Sequence, residues 1–199
     1  MKVKICGLQE PEHVKAAVLA GADYVGFVFA PSKRRITFEQ AEKLALLVPG
    51  DVKRVGVFVN PSQEEIDLAV KAGRLDIIQL HGEETPEFCL KQKKPVMKAF
   101  SIKTREDIEK TAFYPVSYHL VDAPATEYKG GGGKVFDWEL LQDTHQSSPL
   151  FLAGGLNADN VVQAVSTIQP YAVDVSSGVE TDGIKDIDKI NAFIQAAKA

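Results

Sequence analysis

Eight short runs rich in apolar and β-branched residues recur along this chain, most of them followed by a longer amphipathic stretch, and that alternation limits the possible folds more than any other feature. The strand candidates are residues 3–6, 24–29, 54–59, 77–80, 96–100, 118–121, 150–152 and 172–175. Helix candidates cover 11–20, 38–47, 62–72, 86–92, 104–112, 158–168 and 186–197. Plausible caps open several of them: Thr37 two residues before Glu39, Ser62 three before Glu65, and Asn157 just before Ala158. Runs such as Val25-Gly26-Phe27-Val28-Phe29 and Val55-Gly56-Val57-Phe58-Val59 are apolar on both faces, as parallel strands roofed by helices must be. Eight such units predict a closed (β/α)8 TIM barrel, α/β in class, forming one domain over residues 1–199. A doubly wound open sheet is the structural alternative.

The size and composition fit that reading. A chain of 199 residues, 45% apolar and 25% charged, can bury a sizeable core. No apolar run reaches the roughly 18 residues of a membrane span, and no secretory signal precedes the first strand, so a cytoplasmic setting is expected. A net charge of -4 gives no general attraction to nucleic acid or anionic membranes, although the cluster Lys33-Arg34-Arg35 could hold an anionic substrate. Cys6 and Cys89 are far apart and lack Cys-x-x-Cys spacing, so a disulfide framework and a cysteine zinc site are both poor readings.

In a barrel, polar groups at the C-terminal ends of strands converge on one mouth. Here they are Cys6, Arg34 after strand two, His81 after strand four, Asp122 after strand six, Gly154-Gly155 after strand seven, and Asp174 with Ser176-Ser177-Gly178 after strand eight. Gly154-Gly155-Leu156-Asn157 reads as a loop opening a helix, and Ser176-Ser177-Gly178 offers hydroxyls and bare backbone N–H groups. Both suit a phosphate. Cys6 and Asp122 make a possible base and acid for moving a proton between carbon and oxygen. A basic Cys6 needs nearby cations to favour its thiolate; an acidic Asp122 needs burial to hold its proton. The competing readings are a small buried hydrophobe for Cys6 and a turn residue for Asp122. Strand alternation puts Lys4 on the same inward side as Cys6, where an internal pair with Asp174 becomes possible. Cys89, between Phe88 and Leu90 in a helix, reads as structural.

Several motifs in order along the chain carry a family likeness: Lys4-Ile5-Cys6-Gly7, Gly26 to Phe29, Ser32-Lys33-Arg34, Gln79-Leu80-His81-Gly82, Gly130 to Lys134 with Phe136-Asp137-Trp138, and Asp174 to Gly178. The chain resembles phosphoribosylanthranilate isomerases from its first strand to its last. The resemblance implies a cofactor-free Amadori rearrangement of N-(5'-phosphoribosyl)anthranilate to 1-(2-carboxyphenylamino)-1-deoxyribulose 5-phosphate in tryptophan biosynthesis. It also implies roles. Asp122 would protonate the ring oxygen, and Cys6, as thiolate, would take the proton from C2. Arg34 would pair with the anthranilate carboxylate. Gly154, Gly155, Ser176, Ser177 and Gly178 would hold the phosphate, and His81 and Asp174 would touch the sugar or form the pocket wall. No metal is implied, and the only partner is the phosphorylated small molecule; both monomers and homodimers are compatible.

One departure stands in the glycine run, where Gly132 occupies a position often filled by a small hydroxyl residue in the family. That run reads as a lid anchored by Phe136-Asp137-Trp138. Two alternatives belong to other classes. Another phosphosugar barrel enzyme would call for aspartate at position 6 or metal-binding side chains at strand ends. A non-catalytic phosphate-binding barrel would share the fold without needing Cys6 and Asp122.

Overall fold

The computed structural model describes residues 1–122 and 148–199. Eight parallel strands close a barrel in strict sequence order, β1 Lys2–Cys6, β2 Tyr24–Val28, β3 Lys53–Phe58, β4 Ile77–Leu80, β5 Val96–Ser101, β6 Tyr118–Asp122, β7 Leu150–Ala153 and β8 Ala172–Val175, with β1 pairing β8. The barrel predicted from the alternation is therefore the one observed. Helices α1 Pro11–Leu19, α2 Phe38–Ala45, α3 Gln63–Ala72, α4 Pro86–Leu90, α5 Arg105–Thr111, α6 Val161–Ile168 and α7 Ile187–Lys198 complete the described units. The lid motif of residues 130–138, with Gly132, lies outside the described residues. Among those residues, no helix is long and apolar enough to cross a membrane.

Two apolar compartments follow from strand alternation. One side of each strand packs on the helices, with Ile5, Phe27, Leu80, Val121, Leu152 and Val173 essentially buried there. The other side fills the barrel, where Tyr24, Val55, Ile77, Met97, Leu120, Phe151 and Ala172 cluster. The Phe151 ring meets Tyr24 and Tyr118 edge-on at centroid distances of 5.1 and 5.5 Å. Those bulky residues plug the barrel's middle and separate the upper, C-terminal mouth from a pocket at the opposite end, lined by Tyr24, Ile77, Tyr118 and Tyr171.

Capping largely sets where the helices start. Thr37 accepts from the N–H of Gln40 and Gln40 answers with its side chain, a reciprocal box whose partner is Gln40 rather than the neighbouring Glu39. Ser62 and Glu65 form the same box ahead of α3. The helix expected from Ala158 begins instead at Val161. Asn157 Oδ1 accepts from the N–H groups of Asp159 and Asn160, and Asn160 Oδ1 accepts from that of Asn157, so this side-chain closure replaces the first turn. After β8 come a 3-10 turn, Ser177–Val179, and a hairpin of β9 Glu180–Thr181 and β10 Ile184–Lys185, which strand periodicity alone did not reveal.

Candidate active site

The barrel's upper layer encloses a cavity of about 430 Å3. Its lining includes the ten catalytic, substrate and phosphate candidates from the sequence: Cys6, Arg34, His81, Asp122, Gly154, Gly155, Asp174, Ser176, Ser177 and Gly178. A groove of about 460 Å3 outside it, walled by Phe29, Phe38 and Phe58, contains none of them.

Cys6 ends β1 and points inward, 8% exposed, opposite Gly26 of β2. A Cβ on Gly26 would lie 2.8 Å from the Cys6 sulfur, so the glycine makes the space the thiol occupies. Beneath Cys6, Lys4 donates to Asp174 Oδ1 at 2.9 Å, as the alternation had suggested. The thiol's ionisation runs against the expectation of a favoured thiolate. Burial pushes its pKa up and outweighs Lys4, with Asp174 adding to the rise and Lys185 opposing it.

Arg34, expected to present its charge to a ligand, is already gripped from one side. Its Nε and Nη2 donate to the two carboxylate oxygens of Glu180 at 2.6 and 2.8 Å. Lys185 donates to the same carboxylate at 2.6 Å and to the backbone oxygen of Ser176 at 2.8 Å. Ser176 in turn donates from Oγ to the Cys6 carbonyl at 3.2 Å. A continuous chain thus runs from Arg34 through Glu180, Lys185 and Ser176 to the backbone of Cys6. Although burial favours protonation of Glu180, the bonds from Arg34 and Lys185 hold its pKa down at about 2. Neither Glu180 nor Lys185 was anticipated. The legible signal was Asp182-Gly183 between two short polar segments, the mark of a tight hairpin, and both residues do take positive φ, 52° and 81°.

On the opposite wall, Asp122 ends β6 with its side chain 40% exposed, so the described residues do not supply the burial an acid there calls for. Its Oδ2 lies 3.6 Å from His81 Nε2, and His81 Nδ1 faces Gln79 Nε2 at 3.3 Å. The two glycine loops meet each other: a Cβ on Gly178 would run into the Leu156 carbonyl oxygen. The N-terminus of α6 is at Asn160, several residues beyond Gly155, so the Gly154-Gly155 segment supplies loop backbone rather than the first helical N–H groups expected of it. Cys89 sits buried in α4, its thiol pushed up to about 11 mainly by burial, outside this cavity. Among the described residues, no group of three or more His, Cys, Asp or Glu side chains could hold a metal ion.

The sequence profile of N-(5'phosphoribosyl)anthranilate (PRA) isomerase matches residues 3–196. The chain belongs to the PRA isomerase family. The N-(5'-phosphoribosyl)anthranilate isomerase of Listeria monocytogenes serovar 1/2a is 51% identical over 199 residues, spanning 100% of this chain and 98% of that protein. The crystal structure of phosphoribosyl anthranilate isomerase from Thermotoga maritima superimposes with a TM-score of 0.87 at 42% identity, covering 100% of this chain and 98% of that one. A PRA isomerase in complex with reduced 1-(o-carboxyphenylamino)-1-deoxyribulose 5-phosphate does so at 0.85 and 40% identity, with the same coverage. The chain is an enzyme, and as a PRA isomerase it acts in tryptophan biosynthesis.

Proposed function

We propose that this PRA isomerase works by general acid and base catalysis across the barrel mouth, with Asp122 as the acid and Cys6 as the base. The reaction is an Amadori rearrangement of N-(5'-phosphoribosyl)anthranilate to 1-(2-carboxyphenylamino)-1-deoxyribulose 5-phosphate, an intramolecular oxidoreduction of the aldose-ketose type. Carbon 2 of the sugar is oxidised while carbon 1 is reduced, so electrons balance within the substrate. Asp122 protonates the ring oxygen; the C1–O bond breaks and the anilino nitrogen forms a Schiff base at C1. The Cys6 thiolate then removes the proton from C2, and the resulting enolamine tautomerises to the ketone.

What supports this reading is that Cys6 and Asp122 end β1 and β6 and line one cavity together with the glycine and serine loops. In it, Gly154, Gly155, Ser176, Ser177 and Gly178 bind the phosphate. Arg34 pairs with the anthranilate carboxylate through the guanidinium N–H groups not taken by Glu180. His81 and Asp174 face the sugar hydroxyls between these ends. The partner is thus a small phosphorylated molecule, and the setting cytoplasmic. The deciding assay follows the fluorescence of freshly generated phosphoribosylanthranilate, corrected for spontaneous decay, with the wild type and Cys6→Ala. Turnover lost in the variant supports the base; turnover that survives removes it.

A further inference from the structure

The proposed base must be a thiolate, while burial at the tip of β1 favours the thiol. Lys4 lies two residues earlier on the same strand, so both side chains occupy the inward face. Its ammonium is fully buried, and its one carboxylate partner among the described residues is Asp174, its register partner on β8, at 2.9 Å. That bond uses one of three ammonium donors, and Cys6 is the next residue along the same inward face of β1. Beside this pair, the barrel interior is filled by Tyr24, Met97, Leu120, Phe151 and Ala172. A buried ion pair adds little net stability, and apolar side chains of similar volume often replace one without loss. A charged pair kept inside an otherwise largely apolar barrel, directly below the thiol, therefore points to a purpose other than stability.

We propose that Lys4 is a positioning residue that makes Cys6 a base, and that Asp174 is the counter-charge limiting how far it does so. This rests on Cys6 being the base. The ammonium offers the sulfur a hydrogen bond and a positive field, both of which favour loss of the S–H proton to solvent. Asp174 acts the other way, by drawing the ammonium to itself and by adding a like charge. Among the described residues, the remaining charged groups facing this corner are Lys185 of β10 and Arg34 from the loop after β2, with His81 and Asp122 across the mouth. Lys185 and Arg34 are already engaged by Glu180, whereas among the described residues the ammonium of Lys4 bonds to Asp174 alone. The ionisation tendencies agree: Lys4 and Lys185 favour the thiolate, and burial and Asp174 oppose it.

The test measures the iodoacetamide alkylation rate of Cys6 against pH without substrate, in a Cys89→Ser background, for the parent, Lys4→Met and Asp174→Asn. Lys4→Met should alkylate about tenfold more slowly at pH 8, its midpoint moving up by about one unit, with the high-pH plateau unchanged. Asp174→Asn should move the midpoint down and speed alkylation at pH 8. Opposite signs at a common plateau are something a merely structural role would not produce. A Lys4→Met profile coincident with the parent, or shifts of the same sign in both variants, overturns the proposal. Should Lys4→Met not fold, Asp174→Asn decides alone, since an unmoved or raised midpoint overturns it. Turnover surviving in Cys6→Ala would sink the base assignment and leave the alkylation profiles untouched, so the two failures are distinguishable.

Discussion

The two walls of the mouth are built differently. On the side of β1, β8 and the β9–β10 hairpin, charges are buried or partly buried and tied to one another: Lys4 with Asp174, and Arg34 and Lys185 with Glu180, at 2.6 to 2.9 Å. On the side of β4 and β6, His81 and Asp122 are a third or more exposed and 3.6 Å apart. The first wall is organised before any ligand arrives. The second holds its groups loosely, so the water exclusion an acid needs must come from the ligand or from other parts of the chain. On the proposed mechanism, preorganisation thus sits where the fixed charges of the substrate would be recognised and the thiol ionised, and freedom sits where the proton would be delivered.

Removing one proposed reacting group from each wall should have the largest effect. Cys6→Ala and Asp122→Asn should each lower kcat about a thousandfold in steady-state assays, within the range general acid or base groups contribute, while circular dichroism stays native. Near-normal turnover with Asp122→Asn would remove the acid assignment and leave the looser wall without a reacting group.

Glu180→Gln should be the largest stability effect, about 3 kcal/mol by urea unfolding, because it leaves Lys185 buried with an uncompensated charge. The pH dependence has a definite sign. The Glu180 pKa is about 2 in the folded protein against an ordinary 4.5, so its contribution is fully present above pH 4.5 and is lost as pH falls from about 4.5 to about 2. Over that window the wild type should lose stability that Glu180→Gln has already lost. Curves that stay parallel would show that the tied wall is not held by this carboxylate.

Arg34→Ala separates recognition from framework on the same wall. Glu180 keeps Lys185 as a partner, so the fold should tolerate the change, while KM rises roughly tenfold to a hundredfold and kcat changes little. Equal losses in kcat and kcat/KM would instead place the Arg34 contact in the transition state.

How much of each wall was legible in the sequence follows from the range of its interactions. The eight strands were readable because burial on both faces leaves continuous apolar runs; β4 and β8 fall at the expected residues. Cys6, Asp122 and both glycine loops were readable because strand ends are local features. The Lys4–Asp174 pair was suggested by alternation alone. The grip of Glu180 on Arg34 was not, since the partners are 146 residues apart and two-residue strands bury too little to leave a pattern. The late start of α6 was missed because Asn157 and Asn160 satisfy each other's backbone, a closure that mimics a cap in sequence. An acidic Asp122 called for burial at the end of its apolar run, but alternation along β6 turns Asp122 to the mouth side, where it lines the cavity.

His81→Ala makes the smallest change and tests the comparison from its weaker side. At 3.6 Å, with both side chains a third or more exposed, the His81–Asp122 contact is too long for a strong hydrogen bond and is screened by water. Its removal should alter unfolding free energy by less than about 1 kcal/mol, against about 3 kcal/mol for Glu180→Gln. Gln79 would lose its imidazole neighbour, but its amide remains close to the mouth. A destabilisation by His81→Ala as large as that of Glu180→Gln, measured in the same urea series, would mean that the β4–β6 wall is as rigidly tied as the other, and the division between a prebuilt wall and a free one would have to be abandoned.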